Sequence, residues 1–359
     1  MPLLVDAHQD LAWNATTFGR DYTQSALARR RAEQDTPTPE RNGHSLLGLP
    51  EYRAGQVAVI FGALYVSPAN RALGAWDTQT YTTAADAHHL YSAQLDYYRK
   101  LTENTGDFVL IASQTDLDKV LAAWLNAGEA QRPIGLVPLM EGADGIREPA
   151  EAEWWMARGV RIIGPAWSAT RYAGGTGAPG PLTADGRQLL RHMADLGLIL
   201  DLAHASDESY LQALDQFDGT VLVSHANPRV FMNGTPIPER FLSDAMIRRL
   251  AEKQGVIGLA PYNRFLKYGW QATDPRLPLT TVVAAIDYVC QLTGSAQHVA
   301  LGTDFDGGFG VERVPAEIDT IADLQKLAPL LRERGYTAPD IAAIFSQNWI
   351  DLLRRGLPA

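Results

Sequence analysis

One cysteine, Cys290, occurs in 359 residues, so no disulfide can close within the chain, and nothing in its cysteine usage points to an oxidising compartment. No run approaches the ~20 apolar residues that a membrane span needs. Met1-Pro-Leu-Leu-Val leads into an apolar run without a basic segment or a small-residue cleavage site, and the expectation is a soluble, cytoplasmic protein. Clustered basic residues are scarce. The 31 Lys and Arg against 41 Asp and Glu leave a net charge of -10, which argues against a nucleic-acid groove or an anionic membrane surface as partner. The only local basic run, Arg29-Arg30-Arg31, has Glu33 and Asp35 just beyond it and is expected to be a solvated helix face. Cys290 lies in a helical pattern at 284–292 and reads as a structural thiol rather than a nucleophile.

What is present is an alternation of short apolar runs with longer segments of helical periodicity, the pattern of a parallel α/β fold. Strands are expected near 3–7, 57–66, 134–141, 160–166, 198–204, 221–226, 256–261 and 299–303, with helices between most of them, as at 183–196, 243–253 and 280–293. Eight such units predict a (β/α)8 TIM-type barrel, and a 46% apolar chain of this length can fill it as one domain over 1–359. The longest irregular stretch, 17–56, contains Asp35-Thr-Pro-Thr-Pro-Glu40 and is expected to be a lid inserted after the first strand. Residues 319–359 are expected to be helices packed on the barrel, with Thr337-Ala-Pro-Asp340 as a capping box.

Five side chains share one setting: His8 and Asp10, Glu141, His204 and His225 each end an apolar run. In a parallel barrel such ends meet at one mouth, where three imidazoles and two carboxylates suit a pair of divalent metals. A lone histidine after a strand is more often a hydrogen-bonded structural residue; the conjunction of four matched strand ends changes the balance. Residues two apart in a strand point to one side, so His8 and Asp10 serve one ion while Gln9 points away. Glu141 has two oxygens and bridges to a second ion held by His204 and His225. Ions about 3.5 to 4 Å apart would hold a bridging water of lowered pKa. His88, His89 and His192 fall in helical patterns, His298 precedes its strand at the opposite mouth, and His44 lies in the lid; none is expected to be a ligand. In Leu301-Gly-Thr-Asp-Phe-Asp-Gly307, Asp304 is placed to take a proton from the water or to hold a substrate amine. Its alternative is a turn-forming aspartate before Gly307-Gly308, a reading that suits Asp306 better.

At these residues the chain resembles the membrane dipeptidase (renal dipeptidase) family of zinc peptidases, within the amidohydrolase-like barrels. The resemblance spans nearly the whole chain through Asp6-Ala-His-Gln-Asp10, Glu141-Gly142, Leu182-Thr-Ala-Asp-Gly-Arg187, Asp201-Leu-Ala-His-Ala-Ser206, Ser224-His225, Leu242-Ser-Asp244, Gly302-Thr-Asp-Phe-Asp-Gly307 and Gln347-Asn-Trp349. It implies two zinc ions, with His8, Asp10 and Glu141 on one and Glu141, His204 and His225 on the other. It also implies dipeptide hydrolysis by attack of a metal-bridging hydroxide, tolerance of a D-residue at the C-terminal position, and a homodimer. Asp304 matches the acidic residue that contacts the substrate amine, and Arg240 the arginine that binds the substrate carboxylate.

Two departures bear on substrate. Trp167, in Gly164-Pro-Ala-Trp-Ser168, stands where mammalian members have a substrate-contacting histidine, and Glu141-Gly-Ala-Asp144 replaces a Glu-Gly-Gly-His. Oxyanion stabilisation must then come from a zinc ion or another donor, and Trp167 either walls a side-chain pocket or stacks on the substrate, with a packed aromatic as the alternative. The membrane anchor and disulfide-linked dimer of mammalian members do not transfer. A binuclear hydrolase of a non-peptide amide, a lactone or a β-lactam would use the same ligands, and so would a barrel that binds metal without turnover; both stay open at this point.

Overall fold

Branched side chains have little rotamer freedom to lose in a strand and pack well on a pleated surface, so strands form where valine, isoleucine and leucine run together. In the computed structural model, which describes residues 1–126 and 132–359, eight such runs are parallel strands. They are β1 (Leu4–Gln9), β2 (Val57–Tyr65), β3 (Ile134–Glu141), β4 (Ile162–Gly164), β5 (Ile199–Asp201), β6 (Val221–Val223), β7 (Val256–Leu259) and β8 (Val299–Leu301). Each pairs with the next, and Asp6 opposite Leu301 closes the ring. Every strand residue is buried, as in a sheet with side chains filling one face and helices covering the other. The fold is the expected (β/α)8 barrel.

Several strands stop short of the apolar runs that announce them. Pairing at the fifth covers only Ile199–Asp201, because Asp201 Oδ1 accepts the Ala203 N–H at 2.9 Å and turns the chain out of the sheet. Close approach also shapes the wall beside β6. A Cβ on Gly258 would lie 1.9 Å from the Ser224 carbonyl oxygen and one on Gly302 1.8 Å from it, so a side chain at either glycine would displace the residue before His225.

The last helices cover the barrel beside β8. Trp349 is fully buried and donates from Nε1 to the Leu301 carbonyl at 2.9 Å, while Asn348 Nδ2 donates to the Val299 carbonyl at 2.8 Å. Truncating a buried tryptophan of this kind costs about 3–5 kcal/mol. The capping box at Thr337 and Asp340 is present.

Two features differ from the sequence expectation. Residues 17–56 contain helices Ala26–Glu33, Thr38–Asn42 and Leu49–Ala54, each too short for its periodicity to stand out. Arg29 is not on a solvated face: it is buried, donates from Nη1 to Ser45 Oγ at 2.7 Å and to the Leu47 carbonyl at 2.8 Å, donates from Nη2 to the Asp21 carbonyl, and lies over the Tyr22 ring. These backbone and hydroxyl acceptors replace the hydration expected of a solvated face. Arg30 is half-buried, and of the three only Arg31 is exposed.

Candidate functional site

The five donors expected at strand ends converge at one mouth of the barrel. Period-two alternation in β1 turns His8 and Asp10 inward, while Gln9 donates to Asp6 Oδ2 at 2.6 Å and accepts the Tyr52 hydroxyl at 2.6 Å on the other side. Glu141 ends β3 and divides its carboxylate. Oε2 lies 3.7 Å from His8 Nε2, whereas Oε1 lies 3.1 Å from His204 Nε2 and 3.4 Å from His225 Nε2. Asp10 Oδ2 is 3.6 Å from His8 Nε2. Three overlapping trios result, His8-Asp10-Glu141, Glu141-His204-His225 and His8-His225-Asp304, each with donor atoms within 4.8 Å of one another. His8 Nδ1 and Nε2 and Asp10 Oδ1 are buried without a hydrogen-bond partner, a costly condition that coordination would relieve at Nε2 and at the Asp10 carboxylate.

Neighbours fix the rings. Ser224 Oγ donates its one hydrogen to Asp201 Oδ2 at 2.6 Å and lies 2.9 Å from His225 Nδ1, so it accepts from that nitrogen and leaves the Nε2 lone pair facing inward. Asp201 also accepts the Ser224 N–H at 2.9 Å. His204 has φ 64°, a left-handed backbone uncommon for histidine, and its Nδ1 lies 3.0 Å from Thr176 Oγ1. Neither Asp201 nor Thr176 is among the residues expected from the sequence; Asp201-Leu-Ala-His204 carries a signal for the first, and nothing local marks the second.

The charges are unbalanced as the side chains stand. Burial raises Glu141 to about 8 and Asp304 to about 7. Burial works against the charged form of His8 too, but the Glu141, Asp10 and Asp304 carboxylates prevail and raise it to about 10. Burial also holds His204 and His225 well below the ordinary imidazole range. Crowded carboxylates that favour a proton, beside imidazoles that refuse one, form a donor set suited to divalent cations.

Asp304 follows β8 with φ 57°, and its N–H bonds to the His8 carbonyl at 3.1 Å. Its Oδ1 comes to 4.0 Å from His8 Nε2. Arg240 is 3% exposed, donates to the His225 carbonyl at 3.0 Å and lies 4.7 Å from the Phe265 ring centroid. A cavity of about 320 Å³ joins Asp10, Glu141, His204, His225, Asp304 and Arg240, with Trp167 in its wall. Trp167 is half-buried, its ring 5.2 Å from that of Tyr65 and 6.0 Å from that of His204. Every residue expected in a catalytic, metal or substrate role therefore lies at or beside one cavity, with His8 behind it.

Other expected positions lie elsewhere. Asp144 takes the Tyr81 hydroxyl and, at 3.0 Å, the Arg171 N–H, away from the cavity lining. His44 pairs with Glu312 on the surface, His88 and His298 bond to the Gly145 and Gly255 carbonyls, and His89 and His192 lie outside all three trios. Asp306 exceeds the role of a turn aspartate. It is fully buried, accepting the Tyr22 hydroxyl at 3.0 Å, the Ser45 hydroxyl at 2.7 Å and the Leu46 N–H at 2.8 Å, with Arg20 Nη1 at 3.4 Å.

The sequence model of the membrane dipeptidase family, peptidase family M19, matches residues 2–355. The chain belongs to the membrane dipeptidase family. Membership makes it a metallo-hydrolase of the dipeptidase type, and the family implies metal ions at a centre such as the one formed here. Among relatives, a Klebsiella pneumoniae protein named for the pqqA 5' region is 31% identical over 243 residues, which are 65% of this chain and 86% of that one. The Schizosaccharomyces pombe dipeptidase C3A11.10c is 32% identical over 167 residues, 46% of this chain and only 38% of its own length. Among solved structures, a Rhodobacter sphaeroides metallo peptidase liganded with a phosphinate mimic of L-Ala-D-Ala shares the fold, with a TM-score of 0.78, 22% identity and 99% of each chain covered. Among the described residues, no helix of this dipeptidase-family chain is long and apolar enough to cross a membrane.

Proposed function

We propose that the chain is a zinc-dependent dipeptidase holding two zinc ions, with His8, Asp10 and Glu141 on one and Glu141, His204 and His225 on the other. The observation that carries this reading is the divided carboxylate of Glu141, one oxygen toward His8 and the other toward His204 and His225. Bound there, the ions would supply a water made nucleophilic near neutral pH and a Lewis acid for the scissile carbonyl.

The chain's own residues do the rest. Asp304, raised by burial to about 7, accepts a proton at its carboxylate and returns it to the departing amine. The same carboxylate holds the substrate's free amino group. Arg240, already oriented by the His225 carbonyl and the Phe265 ring, pairs with the terminal carboxylate. Requiring both ends of the substrate limits it to very short peptides. Trp167 and Tyr65 wall the cavity and exclude water around the scissile bond. The phosphinate ligand of the Rhodobacter sphaeroides neighbour supports including L,D-dipeptides. A lone, buried Cys290 suits a reducing, cytoplasmic setting.

The test is turnover of L-Ala-L-Ala and L-Ala-D-Ala by zinc-loaded protein, before and after chelation. Cleavage that chelation abolishes and zinc restores supports the assignment. Zinc-loaded protein that cleaves no dipeptide contradicts it and directs attention to non-peptide amides, lactones and β-lactams.

A further inference from the structure

The cavity has more cationic side chains than a neutral dipeptide can use. Its lining holds three arginines, Arg240, Arg264 and Arg313. Its only acidic side chains are Asp10, Glu141 and Asp304, each of which already has metal, a proton or the substrate amine to serve. With Arg240 serving the one carboxylate of a neutral dipeptide, Arg264 and Arg313 are left to explain in a chain of net charge -10.

Arg240 has its partners, but the side chains of Arg264 and Arg313 make no hydrogen bond or ion pair among the described residues. Their backbones are nonetheless tied together. Arg264 lies in the short helix Asn263–Leu266, and Arg313 ends the turn Val311–Arg313. Between them, the fully buried Asn263 donates from Nδ2 to the Val314 carbonyl at 3.1 Å. The flanking aromatic rings stack, with Tyr262 and Phe309 4.1 Å apart and 5° from parallel. Arg264 and Arg313 thus line the cavity from a braced platform, and among the described residues no carboxylate pairs with either. The platform adjoins the carboxylate end of the substrate, because Phe265, next to Arg264, carries the Arg240 guanidinium over its ring.

We infer that this cavity selects dipeptides whose C-terminal residue has an acidic side chain, with Arg264 and Arg313 receiving the side-chain carboxylate while Arg240 takes the terminal one. The inference rests on the dipeptidase reading and narrows it. A carboxylate entering here meets the guanidinium groups with two anionic acceptor oxygens, whereas an amide of the same shape offers one neutral acceptor and no opposite charge. Trp13, Tyr65 and Trp167, whose rings meet one another in the lining, offer no charge to a substrate side chain.

The experiment compares kcat/KM of the zinc-loaded enzyme for Ala-Asp with Ala-Asn and for Ala-Glu with Ala-Gln, with the C-terminal residue in both L and D forms. The expected result is at least a tenfold preference for the acid over its amide, weakening with added salt. In Arg264→Gln/Arg313→Gln the ratio should fall to near unity, and in Arg264→Glu/Arg313→Glu the preference should pass to Ala-Lys. Because each readout is a ratio within one enzyme, a general loss of activity does not imitate it. Cleavage of Ala-Ala and Ala-Asn at rates matching Ala-Asp, or an acid preference that survives in both double variants, overturns the inference and leaves the dipeptidase reading intact. Failure to cleave any dipeptide with zinc bound overturns both.

Discussion

The Nε2 atoms of His204 and His225 face one another at 3.0 Å, and Glu141 Oε1 lies 3.1 and 3.4 Å from them. Burial keeps both imidazoles neutral. Three electron-rich atoms therefore share one small space, an arrangement that a cation stabilises and that a hydrophobic or hydrogen-bonded core would avoid.

The hydroxyl behind His225 offers a measurement that leaves every ligand in place. In Ser224→Ala, Asp201 still accepts the Ala203 N–H and that of residue 224, so the fold holds, but His225 loses the partner that fixes its ring. Zinc affinity, read by competition with a chromophoric chelator, should fall about 10- to 100-fold. Unchanged affinity would mean that the hydroxyl does not orient the ligand.

Asp304 is tested by removing its charge. Asp304→Asn is expected to retain its zinc while turnover of L-Ala-L-Ala drops by about 10²- to 10⁴-fold. Turnover equal to that of the parent would take Asp304 out of the proton path.

The barrel is legible in the sequence because all eight strands carry their own apolar runs, and the convergence of the five proposed ligands because each ends such a run. His8-Gln9-Asp10 even announces its geometry, since period-two alternation alone sends Gln9 to Asp6 and Tyr52. Contacts across long sequence separations are less visible. Arg240 resembles any arginine before a helix until the fold buries it against Phe265, and Thr176 meets His204 only through the hairpin of Ala173–Gly175 and Ala178–Leu182. The strand Phe108–Leu110 leaves no mark because three residues show no alternation; it adds to β3 outside the closed ring. Asp306 reads as a mere turn residue for a similar reason, because its partners Arg20, Tyr22 and Ser45 lie more than two hundred positions away.

Those partners make Asp306 a stability determinant. Asp306→Ala leaves the buried Arg20 guanidinium with one carboxylate fewer and strands the Leu46 N–H. The expected loss is about 3–5 kcal/mol in urea unfolding of the zinc-loaded protein, with amide exchange accelerated first around residues 20–46. A loss below about 1 kcal/mol would show that residues 17–56 are held mainly by other contacts.

Cys290 supplies a pH test remote from the metal centre. Burial raises its thiol to about 11, so at pH 8 nearly all of it is protonated. Reaction with a thiolate-selective reagent at that pH should run at least ~100-fold slower than with a free thiol and should accelerate as pH rises toward 11. Rapid labelling at pH 8 in the folded protein would contradict a structural role.

Metal content tests the central claim most directly. Zinc-reconstituted, dialysed protein analysed by inductively coupled plasma mass spectrometry should contain about two zinc ions per chain, as a carboxylate shared between two sites requires. Glu141→Ala should lower both occupancies together. A parent protein that binds a single zinc ion, or none after reconstitution, would contradict the binuclear site.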